Sequence, residues 1–355
     1  MTHLALHTRI CDLFGIRVPI VQTGMGWVAG ARLASATSAA GGLGIVASAT
    51  LTIDELARTV REVRDRTGAP FGVNLRADAD DARARVDLLV REGVKVASFA
   101  LAPHPDLIRR LHDGGVLVVP SIGAKRHAEK VAEWGADAVI VQGGEGGGHT
   151  GPVPTTLLLP QVVDVLDVPV IAAGGFFDGR GLIAALAYGA SGIAMGTRFL
   201  LTRESTVPDA VKRFYLDRSV AETVVTTQVD GVSHRVLRTP LVERLERTGP
   251  LTSLPRALRN AAAFRRMSRT TWRSMAREGL AMKRAHGLTW SQVVMAANTP
   301  MLLRAALVEG HLDAGVMSSG QVVGVIDDLP SVAELIERVM AEADKTLEHL
   351  GGGLP

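Results

Sequence analysis

Apolar and polar positions along the chain fall into two alternating textures. Short runs at 18–23, 43–48, 71–75, 94–101, 116–122, 138–142, 169–173 and 192–201 are rich in Val, Ile, Leu and Ala and carry little charge. A run that is apolar at consecutive positions has no solvent face. Each therefore predicts a parallel strand buried on both sides. Amphipathic stretches lie between them. Residues 52–67 open with Thr52 three positions before Glu55, a capping box, and stop at Gly68 with Pro70 just beyond. The stretches at 81–92, 106–113, 124–134 and 181–188 stop at Gly93, Gly114, Gly135 and Gly189. A strand followed by a glycine-terminated helix, repeated along the chain, is the βα unit. Eight strand candidates before residue 202 predict a closed (β/α)8 TIM barrel, with an open doubly wound sheet as the alternative.

The texture changes after Leu201. Residues 202–315 are Arg-rich, helical and irregular, with a hairpin at 224–237 turning at Asp230-Gly231. Residues 317–325 are apolar again, and 330–350 read as a capped amphipathic helix that closes the barrel. The expected organisation is a barrel made of 1–201 and 316–355, with 202–315 as a basic insertion that covers the substrate.

Composition narrows the class. Of 355 residues, 47% are hydrophobic but only 4% aromatic, so Ala, Val, Leu and Ile must fill the core. Cys11 is the one cysteine, which excludes an internal disulfide and suits a reducing compartment. The N-terminal residues include His3, His7, Arg9 and Asp12, so a signal-peptide core is not expected. No apolar run reaches the roughly 18 residues that suggest a membrane span. A cytoplasmic protein is the expectation, with no membrane or nucleic-acid partner. A homodimer is admitted, without a sequence signal that requires one. Charge is unevenly spread: residues 244–286 hold eleven Arg/Lys against Glu246 and Glu278, a local +9 in a chain of net +3. That asymmetry points to a local anionic partner. Arg266, Arg269 and Arg273 recur at helical spacing and are the candidate substrate contacts, suited to the phosphates of a coenzyme A thioester.

Candidate chemistry sits at the C-terminal ends of the strands, where barrels place their sites. The first strand ends in Thr23-Gly24-Met25-Gly26 and the third at Asn74. The sixth runs into Gln142 and five glycines, including Gly147 and Gly148, before His149. The seventh ends in Ala173-Gly174-Gly175 and the eighth contains Met195-Gly196-Thr197. Backbone N–H groups bared by such turns form an anion nest, and two on adjacent strands point to a phosphate, with the Thr197 hydroxyl as a further donor. Gln142 can both donate to and accept from a pyrimidine-like ring edge. Imidazole can take up or release a proton in the physiological range, so His149 is the candidate acid or base. No acidic partner for it is assignable from sequence. A metal is not expected, because no second His or Cys lies at ligand spacing. Gly146-x-Gly148-x-x-Gly151 and Gly42-x-Gly44-x-x-Ala47 imitate a dinucleotide fingerprint without its strand–turn–helix context.

These segments resemble the nitronate monooxygenase, or 2-nitropropane dioxygenase, family of FMN barrels. The likeness is carried by residues 19–26, Gly41-Gly42-Leu43-Gly44, Asn74, residues 142–151, Ala173-Gly174-Gly175 and Met195-Gly196-Thr197. It implies that Gly24, Met25, Gly26, Asn74 and Gln142 contact the flavin ring and ribityl chain. It implies that Ala173, Gly174, Gly175, Gly196 and Thr197 hold the phosphate, and that His149 is catalytic. Residues 10–15, 174–181 and the Arg-rich insertion are similar to the actinobacterial IpdC-type group, whose members act on coenzyme A thioesters in steroid C/D-ring breakdown. That likeness implies FMN- and NAD-linked α,β-dehydrogenation of a hydroxylated indane-carboxyl-CoA. Nitronate oxidation by oxygen uses the same barrel, flavin and histidine but needs no basic insertion. Enoyl-thioester reduction is the same hydride chemistry reversed. A non-enzymatic anion-binding or scaffolding barrel is the alternative from another class.

Overall fold

The computed structural model describes residues 4–247 and 299–351, with Ala262, Arg273, Ala276 and Leu280 as isolated positions between them. Eight parallel strands close into a barrel in the order β1-β2-β3-β4-β5-β6-β8-β9. They are β1 (Ile20–Gln22), β2 (Leu43–Ala47), β3 (Phe71–Leu75), β4 (Val96–Phe99), β5 (Leu117–Ile122), β6 (Val139–Gln142), β8 (Val170–Ala173) and β9 (Gly192–Met195). Closure is made where β1 pairs with β9, Val21 opposite Ala194. A two-residue strand, β7 (Gly148–His149), lies outside the barrel.

Alternation along the strands divides the core in two. Val21, Ile45, Val96, Val119, Ile140, Ile171 and Ala194 form one buried cluster inside the barrel. Their neighbours in sequence, such as Ala97 and Phe99, pack outward against the helices. One end of the interior cluster is α1 (Arg9–Phe14), which contributes Ile10, Cys11 and Phe14. The surrounding helices are α2 (Ala31–Ala39), α3 (Ile53–Arg66), α4 (Ala82–Arg91), α5 (Pro105–Asp113), α6 (Lys125–Glu133), α7 (Thr155–Val163) and α8 (Gly179–Ala187). The capping box expected at Thr52 is present: Glu55 N–H donates to Thr52 Oγ1 at 3.3 Å and Thr52 N–H to Glu55 Oε2 at 2.8 Å.

One element differs from the sequence expectation. The eighth apolar run is a strand only over β9. Gly196 then starts a one-turn helix, α9 (Thr197–Leu200). Burial alone cannot separate a strand from a buried helical turn, and Phe199 and Leu200 are buried in either form. Beyond it come α10 (Asp209–Leu216), a hairpin of β10 (Thr223–Thr226) and β11 (His234–Leu237), α11 (Pro240–Arg247) and α12 (Thr299–Leu307). The hairpin expected at 224–237 is therefore present, with Val224 opposite Val236. The apolar stretch after residue 316 ends in a 3-10 helix, Gln321–Val325. The last helix, α13 (Val332–Gly351), packs on α8 and α2. A Cβ at Gly179 would lie 2.4 Å from Val339 O, so α8 and α13 touch backbone to backbone. Arg198, 2% exposed, donates to Asp328 Oδ1 at 2.8 Å, and Arg338 to Asp328 Oδ2 at 2.6 Å. This pair of bonds ties α9 to α13.

Candidate active site

The glycine-rich segment after β6 is held from several sides. Gln142 Nε2 donates to His149 O at 2.7 Å, which folds the segment back on the end of its own strand. A Cβ at Gly146 would lie 2.7 Å from Gln142 Nε2, and one at Gly147 2.5 Å from Gly320 N. The glycines are thus needed for close approach as well as for turning. Glu145 does not face His149. Its carboxylate accepts from Thr155 N–H at 3.0 Å and Thr155 Oγ1 at 2.7 Å, at the first turn of α7.

β7, at the end of this segment, pairs antiparallel with β11, His149 opposite His234. Arg235 reinforces the joint by donating to Gly144 O at 2.9 Å and to Thr223 Oγ1 at 3.0 Å. The pairing brings the hairpin turn over His149. Asp230 Oδ2 lies 2.7 Å from His149 Nε2 and 3.3 Å from His234 Nδ1. His234 Nε2 is 2.8 Å from Ser318 Oγ, and Tyr215 Oη donates to Ser318 O at 2.8 Å. The two imidazole rings are 4.8 Å apart, tilted by 54°.

Burial works against ionisation of Asp230, but hydrogen bonds from His149 and His234 and their charge outweigh it and hold the carboxyl below its usual range. The Asp230 side chain is 6% exposed and that of His149 60%. A buried carboxylate therefore orients an imidazole that opens to solvent. That arrangement suits a general base.

Two points that the sequence leaves open are filled here. His149 does have an acidic partner, 81 positions away on the hairpin turn. A second histidine does approach it, and His149, Asp230 and His234 form the one group of metal-ligand type among the described residues. The turn had been legible as Asp230-Gly231. The reach of its carboxylate to His149 is not legible there, because a tight turn accounts for both residues. His234 and Ser318 carry no local signal; only the pairing of β11 with β7 and with Ser318 joins them to His149.

Other expected residues meet around the mouth of the barrel. A Cβ at Gly24 would lie 2.4 Å from Asn74 Cβ, and Asn74 Nδ2 donates to Ser98 Oγ at 3.2 Å. A Cβ at Gly196 would lie 3.5 Å from Met25 Sδ, and one at Gly26 3.6 Å from Thr50 Cγ2. Met195 is buried, and its carbonyl accepts from Thr23 N–H at 3.2 Å. Gly174 and Gly175 have φ of 99° and 83°, a conformation open to glycine at little cost. Ala173 O accepts from Gly143 N–H at 3.0 Å, which joins the two glycine turns. The N–H groups of Gly174, Gly175, Gly196 and Thr197 donate no hydrogen bond to the described residues, and no side chain caps α9. Such bare amides on neighbouring strands are suited to an anion. The Thr197 hydroxyl oxygen is engaged, accepting from Gly320 N–H at 2.9 Å. Its own hydrogen is left to donate. Arg273 is helical and exposed; Arg266 and Arg269 lie outside the described residues. Among the described residues no helix is long and apolar enough to cross a membrane.

The chain and its barrel are similar to known proteins. The nitronate monooxygenase family profile matches residues 7–85 and 79–342, and the chain belongs to that family. Within it, the chain is 65% identical over 343 residues to a Mycobacterium tuberculosis protein, covering 96% of this chain and 97% of the other. That protein is named (3aS,4S,5R,7aS)-5-hydroxy-7a-methyl-1-oxo-octahydro-1H-indene-4-carboxyl-CoA dehydrogenase. A Rhodococcus jostii protein of the same name is 60% identical, covering 98% of each chain. Among solved structures, FabK from Thermotoga maritima superposes with a TM-score of 0.79 at 36% identity, over 97% of this chain and 98% of its own.

Proposed function

We propose that the chain dehydrogenates a hydroxylated indane-carboxyl-CoA thioester with bound FMN, introducing an α,β double bond. The observation that carries this reading is the 65% identity, over nearly the whole chain, to a dehydrogenase named for that thioester. The site adds chemistry consistent with it. The bare amides of Gly174, Gly175, Gly196 and Thr197 fit one terminal phosphate. In this reading Gly24, Met25, Gly26, Asn74 and Gln142, with Gly147 and Gly148, would contact the flavin, as the family likeness implies. The chemistry FMN supplies when bound is acceptance of a hydride.

In this reading the proton next to the thioester carbonyl goes to His149, and the Cα–H electron pair becomes the Cα=Cβ bond as hydride leaves Cβ. Asp230 balances the charge that His149 gains. The segment 202–315 covers the substrate, and Arg266, Arg269 and Arg273 contact the coenzyme A phosphates. NAD as the electron acceptor, implied by the IpdC-type likeness, belongs to the same proposal, as does a cytoplasmic location, which rests on the single cysteine.

The deciding experiment is anaerobic bleaching of the flavin absorbance. The indane-carboxyl-CoA thioester should bleach it, and an alkyl nitronate should not do so at comparable concentration. Bleaching by the nitronate alone would transfer the assignment to nitronate oxidation. A Gly174→Val variant should purify without flavin, because a side chain at that φ strains the turn and its Cβ would lie 3.1 Å from Thr155 Oγ1 and 3.2 Å from Gly143 O. Full FMN occupancy in that variant would remove the phosphate assignment.

A further inference from the structure

We infer that His234 is a positioning residue that acts through Asp230 to decide which ring nitrogen of His149 is the base. The inference rests on the proposed role of His149 and deepens it. An ionised carboxylate only accepts hydrogen bonds, so any nitrogen facing Asp230 must carry hydrogen. Asp230 Oδ1 is taken by Val232 N–H at 3.2 Å. Oδ2 faces His149 Nε2 at 2.7 Å and His234 Nδ1 at 3.3 Å. Both nitrogens are therefore protonated. A neutral imidazole has one N–H, which leaves the lone pair of His149 on Nδ1. It also makes His234 Nε2 an acceptor, and Ser318 Oγ, 2.8 Å away, is the hydroxyl that donates to it.

The network resists a second arrangement. The two rings lie 4.8 Å apart on one carboxylate oxygen, so a proton added to each would bring two like charges together. The nearby charges are committed elsewhere. Arg235 is bonded to Gly144 O and Thr223 Oγ1, and Glu145 to Thr155. Buried beside the exposed His149 ring, His234 gives Asp230 Oδ2 its second donor and helps fix the carboxylate plane. Without it the His149 ring is free to turn over and present Nε2 instead.

The test uses the FMN-loaded enzyme and three variants. His234→Asn places an amide N–H near the position of Nδ1 and keeps the donor to Asp230. His234→Gln reaches toward Ser318 and loses that donor. A mis-set tautomer costs up to about 10⁴-fold in a serine-protease triad. The Gln variant should lose at least roughly tenfold in kcat with KM unchanged, and the Asn variant less than about threefold, both within that bound. Equal losses in the two variants would make His234 a packing residue and overturn the inference. Histidine 15N resonances of the wild-type holoenzyme give a reading independent of turnover. Nδ1 of His149 should be the unprotonated nitrogen, and finding the proton there overturns the inference as well. His149→Ala separates the two levels. If it leaves flavin reduction unchanged, the base assignment fails together with this inference. If it slows reduction while both His234 variants match wild type, this inference alone fails.

Discussion

At the scale of single residues, the site depends on one short contact. His149 is exposed at the mouth, and its Nε2 is bound to a carboxylate that is itself buried. Proton transfer by a positioned side chain contributes about 10²–10⁴-fold in rate. His149→Ala should slow thioester-driven flavin reduction by about that range while FMN stays bound, measured by anaerobic stopped flow. A loss below about threefold would move the base elsewhere around the mouth, since it falls short of that range. Asp230 makes a second, pH-dependent prediction. Its folded-state carboxyl lies below the unfolded value of about 3.9. A depressed carboxyl stabilises the fold above the unfolded value, and that stability is lost as pH falls through the folded one. Wild-type melting temperature should therefore fall more steeply below about pH 4 than that of Asp230→Asn. Parallel curves would show that Asp230 contributes no proton linkage.

At the scale of elements, the candidate site is a joint between two pieces of chain. The barrel supplies β6 and the glycine segment; the β10–β11 hairpin supplies Asp230 and His234. Gly147 lies where the segment meets the 319–320 backbone, and a Cβ there would come within 2.5 Å of two backbone atoms. Backbone cannot swing aside as a side chain can. Gly147→Ala should displace β7 from β11 and slow catalysis, and since Gly147 also belongs to the proposed flavin site, flavin content should fall with it. Unchanged kcat would show that the joint tolerates the shift.

The same division explains what the sequence made legible. Strand runs, glycine stops and the Thr52 cap are local patterns, and they appear in the fold nearly as read. The hairpin was readable too, because Asp-Gly marks a turn. Its docking on Gly148 and His149 was not, since pairing across such a sequence distance leaves no periodicity to detect. The turn inside 192–201 was missed for a different reason: Phe199 and Leu200 are as buried as any strand residue.

At the scale of the whole molecule, charge is segregated. The local excess of +9 in 244–286 stands against an otherwise acidic chain. If Arg266, Arg269 and Arg273 meet the coenzyme A phosphates, reversing their charge should weaken thioester binding. It should also flatten its dependence on salt, because fewer ionic contacts remain to be screened. Flavin content should be unaffected. Wild-type affinity in that variant would leave the patch a solvated face.

The single thiol offers a consequence of a different kind. Cys11 is 1% exposed and sits in α1 against the interior of the barrel, with burial raising its pKa. Alkylating reagents attack the thiolate, so in the closed barrel this sulfur is shielded twice, by access and by protonation. Labelling then requires α1 to leave its seat. Its rate becomes a clock for how often that end of the barrel opens, read by mass without any engineered probe. With one cysteine, each modified molecule records one opening event. The rate should be far slower in native buffer than in denaturant and blind to substitutions at His149 or His234. Rapid labelling of the native enzyme would mean that α1 is loosely seated.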